Sequence, residues 1–394
     1  MNIVVFDDPV IRKDLLPFTF TRPVASVRLG ILTIKEKWEK LFLQPISYLT
    51  EDYLQEKFPL ATSQDNLLIN GAVCPDENLL IAVKSLKKGE ALIKDKVVVA
   101  KRATDIKPEN LFINKEYTGS LTLIDQPWKI FQHNGAQIRS DFELITRGRK
   151  SNGISDPHTR VYSPENIFIE DGAEIQAAVL NASNGPIYIG KNTQVQEGGL
   201  IRGPFALCEG SILNMGAKIR GDVTIGPLCK MGGEISNAVV FGYSNKAHDG
   251  FLGSSVIGEW CNLGADSNTS NLKNNYDSVK LWNYPKGSFQ NTGLTFCGLM
   301  MGDHSKCGIN TMFNSGTVVG VSSNIFGAGY PRNFIPSFAW GGTSGFNTFQ
   351  LNRAYETASR AMERRNVKLD DADKKILKVI FEISASERAW EKKS

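Results

Sequence analysis

The middle of the chain carries an aliphatic residue at every sixth position, and this period excludes most folds. The longest unbroken run is Ile189, Val195, Ile201, Leu207, Leu213, Ile219, Ile225 and Met231. An amphipathic helix has a period of about 3.6 and an alternating strand a period of about 2, so neither explains the run. A period of six fits a coil of short strands, in which one side chain per hexad points inward and stacks on its neighbours.

The same period recurs on both sides of that run and extends the predicted coil. The further positions are Ile169, Ile175, Ile257, Leu263, Met301, Cys307, Phe313, Val319 and Ile325. Of the 36 glycines of the chain, 29 lie in residues 172–345, as frequent turns require. The alternative is a Gly-rich sandwich whose strands happen to fall in phase. Because roughly one residue in four is aliphatic in ordinary proteins, so long a chance run is disfavoured. We predict a parallel β-helix over residues 156–343.

The regions on either side of the coil have different patterns. Residues 1–155 alternate short apolar strands, such as NIVVF and NLLING, with helical patterns, which predicts an α/β domain with ligands at the carboxyl ends of its strands. One predicted helix places Val27, Ile31, Ile34, Trp38 and Leu41 on a single face. Residues 344–394 are rich in Ala, Glu, Lys and Arg and predict a helical pair that caps or braces the coil. A basic face for phosphate contact is the alternative for that pair.

Composition excludes several classes of function. The net charge is +4 with no long Lys/Arg run, so no nucleic-acid partner is expected, whereas acidic small molecules remain possible partners. No apolar run reaches the about 18 residues of a membrane helix, and acids flank the apolar run near the N-terminus, so neither a membrane span nor a signal peptide is expected. The six cysteines show no C-x-x-C spacing, which argues against zinc. We therefore expect a cytoplasmic protein with reduced thiols.

One histidine, of only four, stands in the glycine-rich stretch KAHDGFLG at 246–253. Read on to residue 280, the segment resembles the acetyltransferase core of the bifunctional UDP-N-acetylglucosamine enzymes, which fuse a uridyltransferase to a glucosamine-1-phosphate acetyltransferase. The resemblance rests on Lys246-Ala247, His248, Phe251-Leu252-Gly253, Asn262-Leu263-Gly264-Ala265 and Asn271, which keep the family's intervals. It implies a left-handed β-helix, a homotrimer with sites between subunits, and acetyl-CoA as co-substrate.

The resemblance also implies a role for each matching residue. His248 would be the general base on the sugar amine, and histidine as a residue type suits that task because it titrates near neutral pH. Asn262, Asn271 and Phe251 would contact the sugar, and Lys280 its phosphate. Arg220 would replace a family lysine, because Ser236 stands at that lysine's position. The pairs Gly264-Ala265 and Gly327-Ala328 would let the coenzyme approach the backbone closely.

The first 40 residues resemble a divergent group of sugar nucleotidyltransferase-like domains fused to the same β-helix. The shared features are Arg-Pro-Val, Arg-x-Gly and a Lys-Glu-Lys-Trp helix, whereas the Gly-rich loop of the uridyltransferases is missing. Phosphoryl chemistry needs cations near the triphosphate and usually Mg²⁺. The candidates for the phosphates are Arg12, Arg22, Arg28 and Lys35, and those for the metal are Asp7 and Asp8, after the first strand. Arg28 and Lys35 are alternatively solvated helix positions.

Three functions remain open at this stage. The first is a bifunctional enzyme that joins a nucleoside triphosphate to a sugar phosphate and acetylates an amino-sugar phosphate. The second is a glucose-1-phosphate thymidylyltransferase-like enzyme whose β-helix only builds the trimer. The third is a non-catalytic sugar-nucleotide-binding trimer, which the missing loop and the Asn70-Gly71 pair at an expected metal aspartate keep open.

Overall fold

The computed structural model describes residues 1–106 and 111–393. The N-terminal domain is built on a six-stranded sheet of order β2-β1-β3-β6-β5-β7, in which β1 runs parallel to β2 and β3 while β6 is antiparallel to both neighbours. Its strands are β1 (Asn2–Phe6), β2 (Ser47–Leu49), β3 (Asn66–Asn70), β4 (Val73–Cys74), β5 (Glu90–Lys94), β6 (Val97–Ala103), β7 (Ile113–Glu116) and β8 (Thr122–Leu123). Its helices are α1 (Pro9–Asp14), α2 (Ile34–Phe42), α3 (Asp52–Gln55), α4 (Glu77–Lys84) and α5 (Pro127–Thr146), with 3₁₀ turns at Phe18–Phe20 and Val24–Ser26.

The helix predicted over residues 27–41 is shorter than the periodicity suggests. Gly30 has a φ of +76°, and Thr33 forms a capping box with Glu36, so α2 begins only at Ile34. Val27 and Ile31 are nevertheless buried. Their spacing therefore reports burial in the irregular segment before the helix, and the prediction of one continuous helix was wrong.

Residues 160–342 form a parallel β-solenoid with three faces, which we call A, B and C. Face A contains Ile167–Ile169, Ile187–Ile189, Phe205–Leu207, Val223–Ile225, Met300–Met301, Val318–Val319 and Phe334–Ile335. Face B contains Glu174–Ile175, Gln194–Val195, Ile212–Leu213, Lys230–Met231, Asn245–Lys246, Asn262–Leu263, Lys306–Cys307, Asn324–Ile325 and Ala339–Gly342. Face C contains Arg160–Tyr162, Val179–Asn181, Leu200–Arg202, Lys218–Ile219, Asn268–Thr269 and Met312–Phe313.

Two long strands, Glu234–Gly242 and Phe251–Glu259, run from face C into face A. A further 3₁₀ turn lies at Pro164–Asn166. Between the coils of residues 268 and 300 the chain leaves the solenoid and forms an antiparallel hairpin of Lys280–Asn283 with Ser288–Asn291. At the far end, Gly345–Thr348 folds back antiparallel onto Ala339–Gly342.

The predicted inward positions form the core of the solenoid. All the aliphatic hexad residues, from Ile169 to Ile325, belong to one buried cluster, each with at most 7% of its surface exposed. Small hydroxyl residues between them bond from coil to coil: the Oγ of Ser211 donates to the carbonyl of Gly226 over 2.7 Å, and that of Ser305 to Gly320 over 2.6 Å. The fold class is confirmed as an α/β domain followed by a parallel β-helix and C-terminal helices. Its left-handed sense is what the resemblance implies.

The N-terminal domain packs its core directly on face A. One hydrophobic cluster runs from Ile3 and Trp38 through to Val239, Val256 and Met300 of the solenoid. Polar contacts reinforce it, because Asn134 of α5 donates to the carbonyl of Asp222 over 2.9 Å and accepts from Thr224 over 3.0 Å. The two domains therefore share one core.

The C-terminal segment braces the side of the solenoid. It contains α6 (Leu351–Glu363), α7 (Asp371–Ile383) and 3₁₀ turns at Ala385–Glu387 and Ala389–Lys393. The two helices pack on Trp260 and Phe338 at the corner between faces A and B, and α7 reaches the N-terminal domain through an ion pair of Lys57 with Asp373. The indole of Trp390 donates to Thr348 over 2.8 Å and lies against the last hairpin. Of the helices described, none has the length and apolar content needed to span a bilayer.

Replacing Leu213 by Ala should lower the free energy of unfolding by about 2–5 kcal/mol, because the inward stack leaves no room to collapse. Leu200→Ala is the matched control, since Leu200 lies on the neighbouring face with 49% of its surface exposed and should change stability by less than about 0.5 kcal/mol. Urea denaturation followed by circular dichroism measures both. Equal effects of the two substitutions would contradict the inward stack.

Candidate functional site

His248 lies at the corner between faces B and C, on a loop that one buried lysine holds. The ammonium of Lys246 donates to the carbonyls of His248 over 2.8 Å and Asp249 over 3.1 Å, and to Gly232 over 3.4 Å. Lys246 is 1% exposed, and its burial lowers the pKa to about 8. The loop that carries His248 is therefore fixed from inside the coil.

The imidazole of His248 is exposed and free of protein hydrogen bonds. Within the described part of the chain, neither this ring nor the carboxylate of Asp249 has a hydrogen-bond partner. Such a side chain has both ring nitrogens available to a ligand.

Phe251 and Asn271 meet next to this loop. Any side chain at Gly253 would overlap the ring of Phe251 and the amide of Asn271, so both groups lie over that glycine. The amide nitrogen of Asn271 also donates to Ser254 over 3.3 Å. Glycine at position 253 thus keeps the aromatic ring and the amide together, as a contact surface for a sugar requires.

The two predicted coenzyme pairs lie on the same edge of the solenoid as His248, in later coils. The amide of Asp266, beside Ala265, donates to the carbonyl of Asp249 over 3.1 Å. Gly264 packs against the backbone of Gly308, which alone accounts for the lack of a side chain there. In contrast, a side chain at Gly327 would meet nothing within 4 Å, and its φ is +102°. This edge is therefore open near Gly327 and closed by coil packing at Gly264.

The remaining predicted sugar residues lie elsewhere in the single chain. Asn262 is exposed on face B, in a cleft of about 390 Å³ beneath α6. Lys280 is exposed on the hairpin and lines a pocket of about 610 Å³ with Lys273 and Arg332. Arg220 is exposed on face C, paired with Glu234 at 3.0 Å. Within one chain, Phe251 and Asn271 thus lie next to the loop of His248, whereas Asn262, Lys280 and Arg220 lie on other surfaces.

Lys246 is a functional candidate that the sequence analysis named as part of the resemblance but gave no role. Its strand pairs in register with Lys230–Met231, so Lys246 occupies the inward position that Met231 fills one coil earlier. A lysine at an inward hexad position was the signal available in the sequence. It marks the coil whose corner loop is held from inside by hydrogen bonds to His248 and Asp249.

In the N-terminal domain, Asp7 and Arg12 bind each other. The two side chains form a buried ion pair at 2.8 Å, and Arg12 also donates to the carbonyl of Arg22 over 3.0 Å and the hydroxyl of Tyr53 over 3.0 Å. Asp7 accepts further bonds from the amide of Val24 and the hydroxyl of Thr50. Burial raises the pKa of Asp7, although Arg12 opposes the rise. Both side chains therefore hold the segment after β1 in place.

Arg22 joins the N-terminal domain to the solenoid. Its guanidinium, 4% exposed, pairs with Asp303 and lies 3.4 Å from Glu259. Burial opposes its charge, yet Asp303 and Glu259 together raise the pKa of Arg22, and burial raises that of Glu259. Together with Trp260 and His304 these groups line a cavity of about 330 Å³ under α7.

The other two predicted cations are also paired within the domain. Arg28 donates to the carbonyl of Ile31 and lies 3.5 Å from Glu36. Lys35 pairs with Glu39 at 2.8 Å across one turn of α2 and lies over the ring of Tyr48. In this arrangement Arg12, Arg22, Arg28 and Lys35 all neutralise protein carboxylates.

The aspartates expected to bind Mg²⁺ have other partners. Both oxygens of Asp7 accept hydrogen bonds, and Asp8 caps α1 by accepting from the amides of Val10 and Ile11. Asn70 is fully buried and bonds to Val98 and Ala72. Across residues 1–106 and 111–393, no three His, Cys, Asp or Glu side chains converge as a metal site requires. These residues do not fit a bound Mg²⁺.

Arg22→Met should lower the free energy of unfolding by about 3–5 kcal/mol, because it leaves Asp303 and Glu259 buried without a cation. Arg220→Ala is the control: its pair with Glu234 is exposed, and its loss should cost less than about 1 kcal/mol. Adding Asp303→Asn to Arg22→Met should recover part of the loss. Chemical denaturation measures all four proteins. Unchanged stability of Arg22→Met together with lost nucleotide binding would instead assign Arg22 to phosphate.

Comparison with known proteins finds similarity over part of the chain. Residues 3–150 match a family model described as a sugar nucleotidyl transferase. Over this stretch the chain is therefore similar to sugar nucleotidyl transferases, and the β-helix follows it. Part of the chain is also similar in sequence to bifunctional GlmU proteins.

The relatives cover only part of the chain. The bifunctional protein GlmU of Rippkaea orientalis is 30% identical over 138 residues, which is 30% of this chain and 30% of the relative. GlmU of Trichodesmium erythraeum is 33% identical over 108 residues, 27% of this chain and 22% of the relative. The chain thus spans less than a third of the length of these two relatives. A crystal structure of the polySia specific acetyltransferase NeuO is 12% identical, with a TM-score of 0.28, over 54% of this chain and 98% of that one.

Proposed function

We propose that the β-helix is an acetyl-CoA-dependent N-acyltransferase that acts on an amino-sugar phosphate, with His248 as its base. The observation that carries the proposal is the exposed, unpaired imidazole of His248 on a loop fixed by Lys246, beside Phe251 and Asn271. An acyltransferase base must be accessible to the attacking amine and held in position, and this loop meets both needs. The cytoplasmic location predicted from composition is part of the same proposal.

The reaction has a simple balance. The sugar amine attacks the thioester carbonyl, the new N–C bond forms, and the C–S bond breaks. A ring nitrogen of His248 takes the proton that the amine loses, and that proton passes to the departing sulfur, so free CoA leaves as a thiol. The ring of Phe251 supplies an apolar surface for the sugar, and the amide of Asn271 a hydrogen bond that orients it.

Subunit assembly completes the proposed site. Arg220, Asn262 and Lys280 lie apart from His248 in one chain, so in a homotrimer they would act on a substrate held by a neighbouring copy. The resemblance implies such sites between subunits. The open backbone near Gly327 and Ala328 is where the coenzyme arm would run along the edge.

Mixing the protein with acetyl-CoA and glucosamine-1-phosphate should release free CoA, and His248→Ala should slow that release at least about 100-fold, as loss of a general base does. His158→Ala is the matched control, because His158 is also exposed but lies in the turn before the first strand of the solenoid. A thiol-reactive dye follows the reaction. Full activity of His248→Ala would overturn the role of His248, and absence of CoA release by the folded wild-type protein would overturn the proposed substrates.

A second candidate concerns the N-terminal domain, which we propose binds a sugar nucleotide without transferring it. The observation that favours binding alone is the pairing of Arg12, Arg22, Arg28 and Lys35 with protein carboxylates, together with aspartates that do not fit Mg²⁺. Phosphoryl transfer needs preorganised cations aimed at the triphosphate. The rival function is nucleotidyl transfer with UTP or dTTP and Mg²⁺, or a thymidylyltransferase-like activity on glucose-1-phosphate.

Incubation with Mg²⁺, UTP or dTTP, and either glucose-1-phosphate or N-acetylglucosamine-1-phosphate should release no pyrophosphate, whereas UDP- or dTDP-sugars should raise the melting temperature by binding the folded state. A coupled phosphate assay and differential scanning fluorimetry measure the two effects. Steady pyrophosphate release that Arg28→Gln abolishes would establish nucleotidyl transfer instead.

A further inference from the structure

A cleft between face B and the end of α6 is lined by four cations. Lys230 and Lys306 come from the solenoid, and Arg364 and Arg365 follow α6; we call this group the basic cleft. Its volume is about 390 Å³, and none of its lining residues is acidic. No described carboxylate lies within ion-pair distance of any of the four. The cleft therefore concentrates positive charge that the protein itself leaves unbalanced.

The solenoid side of the cleft is a regular ladder. Lys230 pairs in register with Asn245, Asn245 with Asn262, and Asn262 with Lys306. Three steps at about 4.8 Å place the two lysines about 14 Å apart along the face, with two amides between them. Lysine ammoniums at both ends and amide donors in the middle suit an extended anion better than a single small ion.

The helix side of the cleft is fixed to the ladder. Arg365 donates to the carbonyl of Leu228 over 3.2 Å and to the side-chain oxygen of Asn245 over 2.9 Å. Arginines after a helix C-terminus are commonly explained by the helix dipole. That explanation does not extend to Lys230 and Lys306, which belong to the solenoid and face the same space. Trp260 and Tyr243 stack with centroids 4.2 Å apart and close the cleft with an aromatic wall.

Lys306 shows the need for an anion most clearly. Its ammonium donates to the carbonyl of His304 over 2.9 Å, and burial lowers its pKa without a carboxylate to oppose the shift. A partly buried ammonium without a counter-charge is costly, and a bound anion removes that cost.

We propose that the basic cleft binds the diphosphate group of a small molecule, with Lys230 and Arg364 among its ligands. The phosphate oxygens accept hydrogen bonds from the four cations, and the aromatic wall contacts the organic part. The four cations belong neither to the His248 corner nor to the N-terminal domain, and of the predicted sugar-binding residues Asn262 alone also lines the cleft. The proposal does not depend on the function proposed for either site. Its occupation ties the end of α6 to face B.

Inorganic pyrophosphate is the probe, and isothermal titration calorimetry of the full chain is the measurement. Wild-type protein should bind pyrophosphate more tightly than orthophosphate, and raising the ionic strength should weaken both. Lys230→Gln and Arg364→Gln should each weaken pyrophosphate binding at least about tenfold, as loss of a charged hydrogen bond does. Both residues are exposed, so both variants should keep the wild-type melting temperature.

Two controls separate the cleft from other anion sites. Arg353→Gln removes a cation from the far end of the same helix, where it pairs with Glu356, and Lys218→Gln removes one from face C. Both should bind pyrophosphate as wild type does. The proposal is overturned if pyrophosphate does not bind, if it binds no better than orthophosphate, or if the controls weaken binding as much as the cleft variants do. If Arg28→Gln weakens pyrophosphate binding, the anion binds at the N-terminal domain, and the proposal is likewise overturned.

Discussion

Stacking of inward side chains between coils is the interaction on which the rest of the structure depends. The inward residues of successive coils belong to one buried cluster, and each packs against the coils before and after its own. Replacing one member therefore affects two interfaces. Lys246 is one exception, because at an inward position it makes three hydrogen bonds to carbonyl groups in place of an apolar contact. The proposed base follows this lysine by two residues.

The N-terminal domain uses one flank of this stack as its own core. Ile3 and Trp38 share a cluster with Met300, and Arg22 reaches Asp303. Residues 3–150 match a sugar nucleotidyl transferase model, but the contacts of their charged side chains are made within the protein. A nucleotidyl transferase would direct cations at phosphates, whereas Arg12, Arg22, Arg28 and Lys35 neutralise protein carboxylates. The two domains also share one hydrophobic core.

The solenoid could be predicted from the sequence because its signal is periodic and local. The hexad residues named from the sequence, between Ile169 and Ile325, are all buried. The partners that neutralise a charged side chain lie far away in sequence. Arg22 pairs with Asp303, 281 residues further along the chain, and no sequence motif indicates this pair. The start of α2 is set by the positive φ of Gly30 and the cap of Thr33. The spacing of apolar residues contains no information on either feature. Predicted sugar-binding positions such as Asn262 and Lys280 follow from a resemblance, and only the fold places them on different surfaces.

The last hairpin has a consequence for assembly. A parallel solenoid ends in unpaired amides and carbonyls that could accept the first coil of another molecule. Here Gly345–Thr348 turns back antiparallel along Ala339–Gly342, and Trp390 packs against its side. A strand of reversed direction offers an incoming parallel coil the wrong hydrogen-bond spacing. The hairpin thus acts as a terminator that keeps a fold built by repetition from continuing into a fibre.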